Sequence, residues 1–370
     1  MTQKLDHIDA LRGVAILMVV LVHTAQSVPD LPQWALKITQ YGQLGVQLFF
    51  VVSAITLSLS ADRRAHESAK TQKYLIRRFF RIAPLYYIGI IWHFLFDLIQ
   101  AYLTSGSAQT GLDKNTLMNM LANFLFVHGF YPPANNNVVP GGWSIGTEMA
   151  FYLCFPLLFP FFKRLSRRST FQFLGLFALL ACGYYALEYA SLTLAKATME
   201  NNHFMYYHLL NQLPVFALGI FAYFLVKEHG FAKFPVIFSL ICLLLFGWLT
   251  YLLWQTKPPV ANSFMLIPFT AGIAFVFLFN IFAGLRFSAL KILQKIGQVS
   301  YSMYLFHFMF AWQGVDYLHS RFSSIGRPLV LFAVYYVLSA ALAYLAATVS
   351  EKYIERPGIE LGRKIIQNAG

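Results

Sequence analysis

Apolar runs long enough to cross a lipid bilayer recur along the whole chain, and this feature limits its fold more than any other. A membrane-spanning helix needs about 20 predominantly apolar residues. Ten runs approach or exceed this length. They are residues 9–28, 42–60, 82–103, 144–162, 170–190, 205–226, 235–254, 263–284, 297–318 and 328–350. Runs such as 234–254 lack the two-residue alternation of a transmembrane β-barrel. The sequence therefore predicts an all-α protein that crosses the membrane many times.

Composition and charge exclude a soluble protein and set the expected partners. Apolar side chains make up 58% of the 370 residues and charged ones only 12%, whereas an ordinary soluble domain has about 25% charged residues. The net charge is +13, which in a soluble chain would suggest a nucleic-acid partner. In a membrane protein, Lys and Arg accumulate instead in the cytoplasmic loops. We therefore expect the lipid bilayer, and no nucleic acid, as a partner.

The distribution of Lys and Arg decides whether a shorter apolar run also crosses the membrane. This run, 117–130, contains Asn119, Asn123 and His128. If it does not cross, 22 of the 28 Lys and Arg residues share one side of the membrane with both termini. The six on the outer side are Lys37, Lys114, Lys196, Lys257, Arg321 and Arg327. This asymmetry follows the positive-inside rule. The sequence thus predicts ten transmembrane helices, both termini in the cytoplasm, an outer non-spanning segment near 117–130, and one membrane domain over 1–370.

Arg12, His23 and His307 lie within predicted spans, where a charged or imidazole group is costly. Arg12 and His23 are 11 residues apart, so they share one helix face about 16 Å apart along the axis. Arg12 is either a functional cation or an anchor whose side chain extends to the interface. His23 and His307 are either functional or form hydrogen bonds between packed helices. Both alternatives stay open for each residue.

Further polar groups stand at the two ends of predicted spans. Arg77, Arg78 and Arg81 follow helical spacings of three and four before the third span. Guanidinium groups can bind phosphate through two parallel hydrogen bonds, although such a cluster can also set topology or contact anionic lipid. Glu148 lies one turn inside the predicted outer end of the fourth span, where the helix dipole favours a carboxylate, and a structural role is equally open. Together these groups outline a polar path that suits both group transfer and transport.

Several motifs, in their order and spacing, resemble those of the membrane acyltransferase 3 family. The first motif is the Arg-x10-His spacing of Arg12 and His23, within a run that starts at residue 8. The others are the segments 49–53, 78–84, 143–148, 300–307 and 355–357. The segment 78–84 has the form Arg-x-x-Arg-Ile-x-Pro, and 143–148 has the form Trp-Ser-x-x-x-Glu. The resemblance covers nearly the whole chain. Ala54 departs from it, because the family usually has Gly after the serine at this position.

The resemblance implies an integral membrane acyltransferase of the bacterial cytoplasmic (inner) membrane. Its reaction would move an acyl group, commonly acetyl, from cytoplasmic acyl-CoA to a hydroxyl of an extracytoplasmic carbohydrate, glycolipid or other glycoconjugate. Acetyl-CoA or another acyl-CoA is then the expected acyl donor, and no metal is expected because the ten histidines are scattered. In this interpretation Arg77, Arg78 and Arg81 hold the phosphates of CoA.

The same interpretation assigns the remaining candidates to catalysis or to acceptor binding. His23 would remove the proton from the acceptor hydroxyl, and Arg12, Glu148 and His307 are further catalytic candidates. The acceptor-binding candidates are Trp143, Ser144 and Tyr304. The indole ring is expected to stack on the apolar face of a sugar.

Two alternatives remain at this point. In the first, His23 or another group accepts the acyl group before the acceptor does, which gives ping-pong kinetics. In the second, the chain is a transporter or flippase of a small anion or a lipid-linked sugar. The combination of Arg12, His23, Arg78 and Arg81 argues against transport, because a flippase has no reason to place these side chains in this way. The acceptor, the acyl length and the oligomeric state are not decided by the sequence.

Overall fold

The structure, a computed structural model, describes residues 6–194, 203–230, 235–255, 261–284, 290–322 and 327–368. All regular elements in these ranges are helices, which confirms the all-α prediction. Five of the Lys and Arg residues counted for topology lie outside the described residues. They are Lys4, Lys196, Lys233, Lys257 and Arg286.

Seventeen α-helices follow one another along the described chain. They are α1 (Asp6–Gln26), α2 (Gln33–Gln40), α3 (Gly45–Arg63), α4 (Lys70–Ser105), α5 (Gln109–Lys114), α6 (Leu117–Phe124), α7 (Gly142–Leu165), α8 (Thr170–Leu194), α9 (His203–Tyr207), α10 (Leu209–His229), α11 (Val236–Gln255), α12 (Ala261–Gly284), α13 (Lys291–Gln298), α14 (Ser300–Phe308), α15 (Val315–Phe322), α16 (Pro328–Ser350) and α17 (Arg356–Asn368). Short 3-10 helices form at Tyr41–Leu44, His128–Phe130 and Pro132–Ala134. Two π-helices occupy Met309–Gly314 and Glu351–Glu355.

Among the described residues, nine helices are long and apolar enough to cross a membrane. They coincide with nine of the ten predicted spans. The difference lies at 297–318, where a π-helix at Met309–Gly314 separates α14 from α15 and so interrupts the regular α-helix. A many-span membrane protein is therefore confirmed, with its ninth predicted span built from three consecutive helical pieces.

The segment near 117–130 does not form a membrane-spanning helix, as predicted. Its helix α6 has 8 residues, which makes it about 12 Å long, whereas the hydrocarbon core of a bilayer is about 30 Å thick. The polar residues of the run serve local folding. Asn123 is buried and donates hydrogen bonds to the carbonyls of Asn119 and Ala134, at 3.0 and 3.3 Å. The Thr116 hydroxyl caps the helix by accepting from the Asn119 amide.

The chain divides into two compact units, each assembled from separate segments. Unit 1 comprises Met1–Phe49, Ile76–Gly89 and Arg286–Gly370, and unit 2 comprises Phe50–Leu75 and Ile90–Leu285. The helices α3 and α4 each contribute to both units. The prediction of one membrane domain over 1–370 is not tested by this division and stays a prediction.

Unit 1 is built around close contact between α1 and α13. A Cβ atom on Gly13 would collide with the backbone of Leu293, and a Cβ atom on Gly297 would collide with the backbone of Asp9. The two glycines therefore allow the backbones to touch at Asp9 and Gly13, on either side of Arg12 in the sequence. The C-terminal helix α17 packs against α4 in the same manner, because a Cβ atom on Gly358 would meet Pro84.

Unit 2 has an aromatic core and an ion-pair cluster at the ends of three helices. The ring of Phe216 on α10 stacks between Phe50 and Phe151, with centroids 4.3 and 3.9 Å away. Asp62 near the end of α3 pairs with Lys163 on α7 at 3.2 Å and with Lys227 on α10 at 2.6 Å. These contacts hold the C-terminal ends of α3, α7 and α10 together. They thereby help to position the residues at the N-terminal end of α7.

Candidate functional site

The two histidines predicted within the spans come together in unit 1. His23 lies in the last turn of α1 and His307 near the end of α14, and their ring centroids are 5.2 Å apart. The aromatic rings of Phe308 and Trp312 also contact His23, at 4.5 and 5.2 Å between centroids. His23 is half-buried, whereas His307 is fully buried. We refer to these four residues together with Gln26 as the imidazole cluster.

The hydrogen bond of His307 determines which of its ring nitrogens is basic. Nδ1 lies 2.6 Å from the backbone carbonyl oxygen of Tyr304. A carbonyl oxygen only accepts, so the neutral ring carries its proton on Nδ1 and a lone pair on Nε2. Among the described residues, this buried Nε2 has no hydrogen-bond partner. A buried lone pair of this kind favours a proton donor or a reacting group beside it.

Tyr304, predicted as an acceptor-binding residue, lies beside His307 rather than on an open surface. Its side chain is buried, and its ring centroid is 5.4 Å from the His307 ring and 6.2 Å from the Phe49 ring. The backbone carbonyl of Tyr304 also holds the Nδ1 of His307. The residue thus orients the imidazole through both its backbone and its ring.

The three predicted phosphate-binding arginines lie in the N-terminal part of α4. Arg77, Arg78 and Arg81 are all half-buried, so their stems lie against the protein. The hydroxyl of Tyr301 on α14 donates to the backbone carbonyl of Ile82 at 2.7 Å, which attaches this part of α4 to α14. The arginines and the imidazole cluster are therefore both parts of unit 1.

A carboxylate to which the sequence analysis assigned no role lies close to Arg81. Glu355 is buried, and its carboxylate accepts a hydrogen bond from the hydroxyl of Ser302 on α14. Arg81 is near enough to act electrostatically on this carboxylate. Because a buried anion needs a compensating charge, the positive charge of Arg81 compensates part of the negative charge of Glu355. The signal in the sequence is the segment 355–357, which is one of the motifs named above, although Glu355 was given no role there.

Arg12 lies on the same continuous helix as His23, as predicted. The helix α1 runs without interruption from Asp6 to Gln26, so the two residues are three turns apart. Arg12 is half-buried and adjoins Gly13, where α1 touches α13. The local packing of α13 therefore fixes the backbone that carries Arg12.

In unit 2, Glu148 is held by two hydroxyl groups. Ser53 on α3 and Tyr152 on α7 both donate to its Oε1, at 2.6 and 2.7 Å. Hydrogen bonds from hydroxyls to a carboxylate are short and strong. The pair fixes the orientation of the carboxylate, so that its Oε2 can accept from another donor. Neither Ser53 nor Tyr152 was assigned a role from the sequence.

Trp143 and Ser144 are both buried at the start of α7, so neither presents its side chain to an open surface. The indole ring of Trp143 stacks on the ring of Tyr207, with centroids 4.5 Å apart and planes inclined by 21°. The Ser144 hydroxyl donates to the carbonyl of Gly141 at 3.0 Å. Tyr207 is half-buried, and its own carbonyl accepts from the Thr147 hydroxyl at 2.7 Å. The ring of Tyr207 thus covers the indole ring of Trp143, which was predicted to bind the acceptor.

His128 connects the segment 117–130 to the same end of α7. Its Nε2 lies 3.0 Å from the carbonyl oxygen of Gly142. A Cβ atom on Gly146 would collide with the imidazole, so the glycine leaves the space that the ring fills. Burial lowers the pKa of His128 below its ordinary value of 6.5. The neutral ring therefore helps to position the helix start that carries Trp143 and Glu148.

Comparisons with known proteins agree with these motifs. The chain is similar to the acyltransferase MdmB of Streptomyces mycarofaciens, with 28% identity over 326 residues that cover 83% of this chain and 79% of MdmB. It is similar to ORF330 of Acidianus two-tailed virus, with 28% identity over 313 residues that cover 82% of each chain.

A longer relative is the O-acetyltransferase OatA of Staphylococcus aureus. It is 25% identical over 372 aligned residues, which cover 95% of this chain but 57% of OatA, so the chain spans a little over half of that protein. No solved structure matches the chain significantly.

The family comparison covers far more than half of the sequence. The sequence model of the acyltransferase 3 family, described as an acyltransferase domain, matches residues 5–348. With its many apolar helices and its acyltransferase relatives, the chain belongs to the acyltransferase 3 family, and it is a multi-pass membrane enzyme that transfers acyl groups.

Proposed function

We propose that the protein transfers an acetyl group from cytoplasmic acetyl-CoA to a hydroxyl group of a carbohydrate or glycolipid on the other side of the membrane. The observation that carries this proposal is the imidazole cluster, in which the half-buried ring of His23 lies against the fully buried ring of His307, with centroids 5.2 Å apart. A basic nitrogen in an apolar surrounding is suited to remove a proton from a neutral hydroxyl.

In the proposed reaction, His23 acts as the general base. Its Nε2 takes the proton of the acceptor hydroxyl while the oxygen attacks the thioester carbonyl. The new ester C–O bond forms, the C–S bond breaks, and the imidazolium returns the proton to the sulfur to give free CoA thiol. We assign this role to His23 because it is the half-buried member of the pair. The fully buried His307 packs against the ring of His23.

The donor is proposed to bind through the arginines of α4. The phosphates of CoA carry several negative charges, and guanidinium groups bind phosphate through paired hydrogen bonds. Arg81 would take part in this contact close to the charge of Glu355, whereas Arg77 and Arg78 lie on the neighbouring turn. Arg12, which lies on α1, is proposed to balance negative charge on the donor.

The acceptor is proposed to bind through residues of unit 2. Glu148 would accept a hydrogen bond from an acceptor hydroxyl through Oε2, because Ser53 and Tyr152 both occupy Oε1. The half-buried ring of Tyr207, rather than the buried ring of Trp143, would contact the apolar face of a sugar. Ser144 would contribute by holding the start of α7.

The orientation that this proposal needs has both termini in the cytoplasm of a bacterial cell and the protein in its cytoplasmic membrane. The support for it is the excess of Lys and Arg on the side of the termini, which the positive-inside rule associates with the cytoplasm. Such an orientation places the arginines of α4 where cytoplasmic acyl-CoA is available.

The test uses purified protein in liposomes with acetyl-CoA labelled in the acetyl group and a carbohydrate extract of cell envelopes as acceptor. We expect thiol release and labelled ester in equal amounts. Arg77→Gln should raise the KM for acetyl-CoA about tenfold or more, the effect of losing one charge-assisted contact, while Arg168→Gln, an exposed arginine of another loop, serves as the control. Absence of both CoA binding and thiol release in the wild type would refute the proposal and point to transport.

A further inference from the structure

The side chain of Gln26 is held between two residues of the imidazole cluster. Its Oε1 lies 2.9 Å from Nδ1 of His23 and 3.2 Å from Nε1 of Trp312. His23 and Gln26 are one turn apart at the end of α1, whereas Trp312 belongs to the π-helix Met309–Gly314. The three side chains thus form a chain of contacts from the indole through the amide to the imidazole.

The chemistry of the indole determines the direction of both hydrogen bonds. The Nε1–H of tryptophan is only a donor. The atom of Gln26 that faces it must therefore be the carbonyl oxygen and not the amide nitrogen. The same oxygen faces Nδ1 of His23, so this ring nitrogen must also donate. Consequently, the neutral ring of His23 carries its proton on Nδ1 and a lone pair on Nε2.

The π-helix gives this arrangement its geometry. One extra residue per turn changes which side chains face a neighbouring helix, and π-helical turns are frequent at functional sites. Here the π-helix begins directly after Phe308 and contains Trp312. The indole ring meets the His23 ring edge-on, with planes inclined by 87°, while its N–H reaches Gln26.

We propose that Gln26 and Trp312 are positioning residues that fix the tautomer of His23, so that Nε2 is the basic nitrogen. Trp312 sets the orientation of the Gln26 amide, and the amide then sets the proton of the imidazole. This inference deepens the proposed function, since it names what prepares His23 to act as a base. Its structural part, the tautomer itself, does not depend on which molecule is the acceptor.

The consequence for catalysis is specific. Without the indole N–H, the Gln26 amide is free to turn and present its NH2 group to Nδ1 of His23. An NH2 group only donates, so it would favour the tautomer in which Nε2 carries the proton. That tautomer has no lone pair on Nε2 and is not a base at this position. The loss affects turnover rather than the binding of acetyl-CoA.

A double-mutant cycle distinguishes this role from simple packing. Trp312→Phe should lower kcat about fivefold, the factor that corresponds to one neutral hydrogen bond, with the KM for acetyl-CoA unchanged. In the Gln26→Glu background, Trp312→Phe should change kcat by less than about twofold, because both oxygens of a carboxylate only accept and the side chain has no wrong orientation. Trp248→Phe on α11, where the indole stacks on Tyr251, is the control.

Two kinetic outcomes would overturn the inference. An equal loss of kcat in both backgrounds would show that Trp312 acts by packing against His23 and Phe308. An unchanged kcat in Trp312→Phe alone would show that the amide does not depend on the indole. Absence of acetyl transfer by the wild type is a different result, because it would contradict the proposed function and not the tautomer.

A spectroscopic measurement tests the inference without any activity. In protein labelled with ¹⁵N at histidine, the signals of His23 are assigned by their loss in His23→Gln. We expect the chemical shifts of a neutral ring with hydrogen on Nδ1 in the wild type, and a mixture of both tautomers in Trp312→Phe. Hydrogen on Nε2 in the wild type would refute the assignment.

Discussion

Replacement of Ser53 by alanine tests whether Glu148 is held as the structure indicates. Ser53 is 8% exposed, and its hydroxyl donates to Oε1 of Glu148 at 2.6 Å. The change removes one oxygen atom and leaves the backbone of α3 intact. Ser58 on the same helix is a matched control, because it is also buried but its hydroxyl donates to the carbonyl of Ala54 within the helix, at 2.8 Å.

The expected magnitude follows from the charge of the acceptor group. A hydrogen bond to a charged group contributes about 1.5–3 kcal/mol, whereas one between neutral groups contributes about 0.5–1.5 kcal/mol. Ser53→Ala should therefore reduce the free energy of unfolding by about 1 kcal/mol more than Ser58→Ala does. In the Glu148→Gln background the partner is neutral, so the cost of Ser53→Ala should decrease by a similar amount.

The free energy of unfolding is measured by denaturant titration of the purified protein in mixed micelles, with each serine variant in both backgrounds. The result that refutes the reasoning is a cost of Ser53→Ala that equals the cost of Ser58→Ala, or that is the same with Glu148 and with Gln at position 148. Either outcome would mean that Ser53 does not stabilise a charged carboxylate. The proposed acceptor contact through Oε2 would then lose its structural basis.

Two further predictions concern packing and pH. Gly297→Ala should destabilise the protein by about 1–3 kcal/mol, since its Cβ atom would collide with the backbone of Asp9 and force α1 and α13 apart. Gly247→Ala is the control and should leave the stability unchanged, because no atom lies within 4 Å of the new Cβ. Thermal unfolding in detergent compares the two variants. Because burial lowers the pKa of His128, the folded protein binds fewer protons than the unfolded chain, so stability should fall as the pH drops below about 6.5, by up to about 1.4 kcal/mol per pH unit. His128→Gln should reduce the dependence of stability on pH. The same slope of stability against pH in His128→Gln and in the wild type would contradict the prediction.

The helices and their order were predictable because they depend on local composition. Apolar runs of about 20 residues have few alternatives to a spanning helix, and the asymmetry of Lys and Arg correctly excluded 117–130 as a span. The interruption at Met309–Gly314 was not predictable, since a π-helix depends on packing between distant segments rather than on a local pattern. It contains Trp312, whose Nε1–H donates to Gln26, a contact that only the folded chain reveals.

The candidate site was predicted in part, at the level of residue types. The cost of polar groups in apolar spans marked His23 and His307 separately as candidates, and the fold brings their rings together, a pairing that the sequence did not predict. The exposure of individual side chains was not accessible from the sequence. Trp143 has the character of a sugar-stacking residue, yet the structure covers its ring with Tyr207. Glu355 and Gln26 were assigned no role, because Glu355 bonds Ser302 and Gln26 bonds Trp312, and both partners lie far away in the chain.

In the proposed reaction, His23 is the general base that takes the proton of the acceptor hydroxyl while the acetyl group passes from CoA to the hydroxyl oxygen. The most direct measurement compares the wild type with His23→Gln in liposomes, following free thiol and labelled ester together with the equilibrium binding of CoA. We expect His23→Gln to lose about 100-fold or more in kcat and to bind CoA as tightly as the wild type does. A His23→Gln variant that forms labelled ester at the wild-type rate would contradict this role of His23.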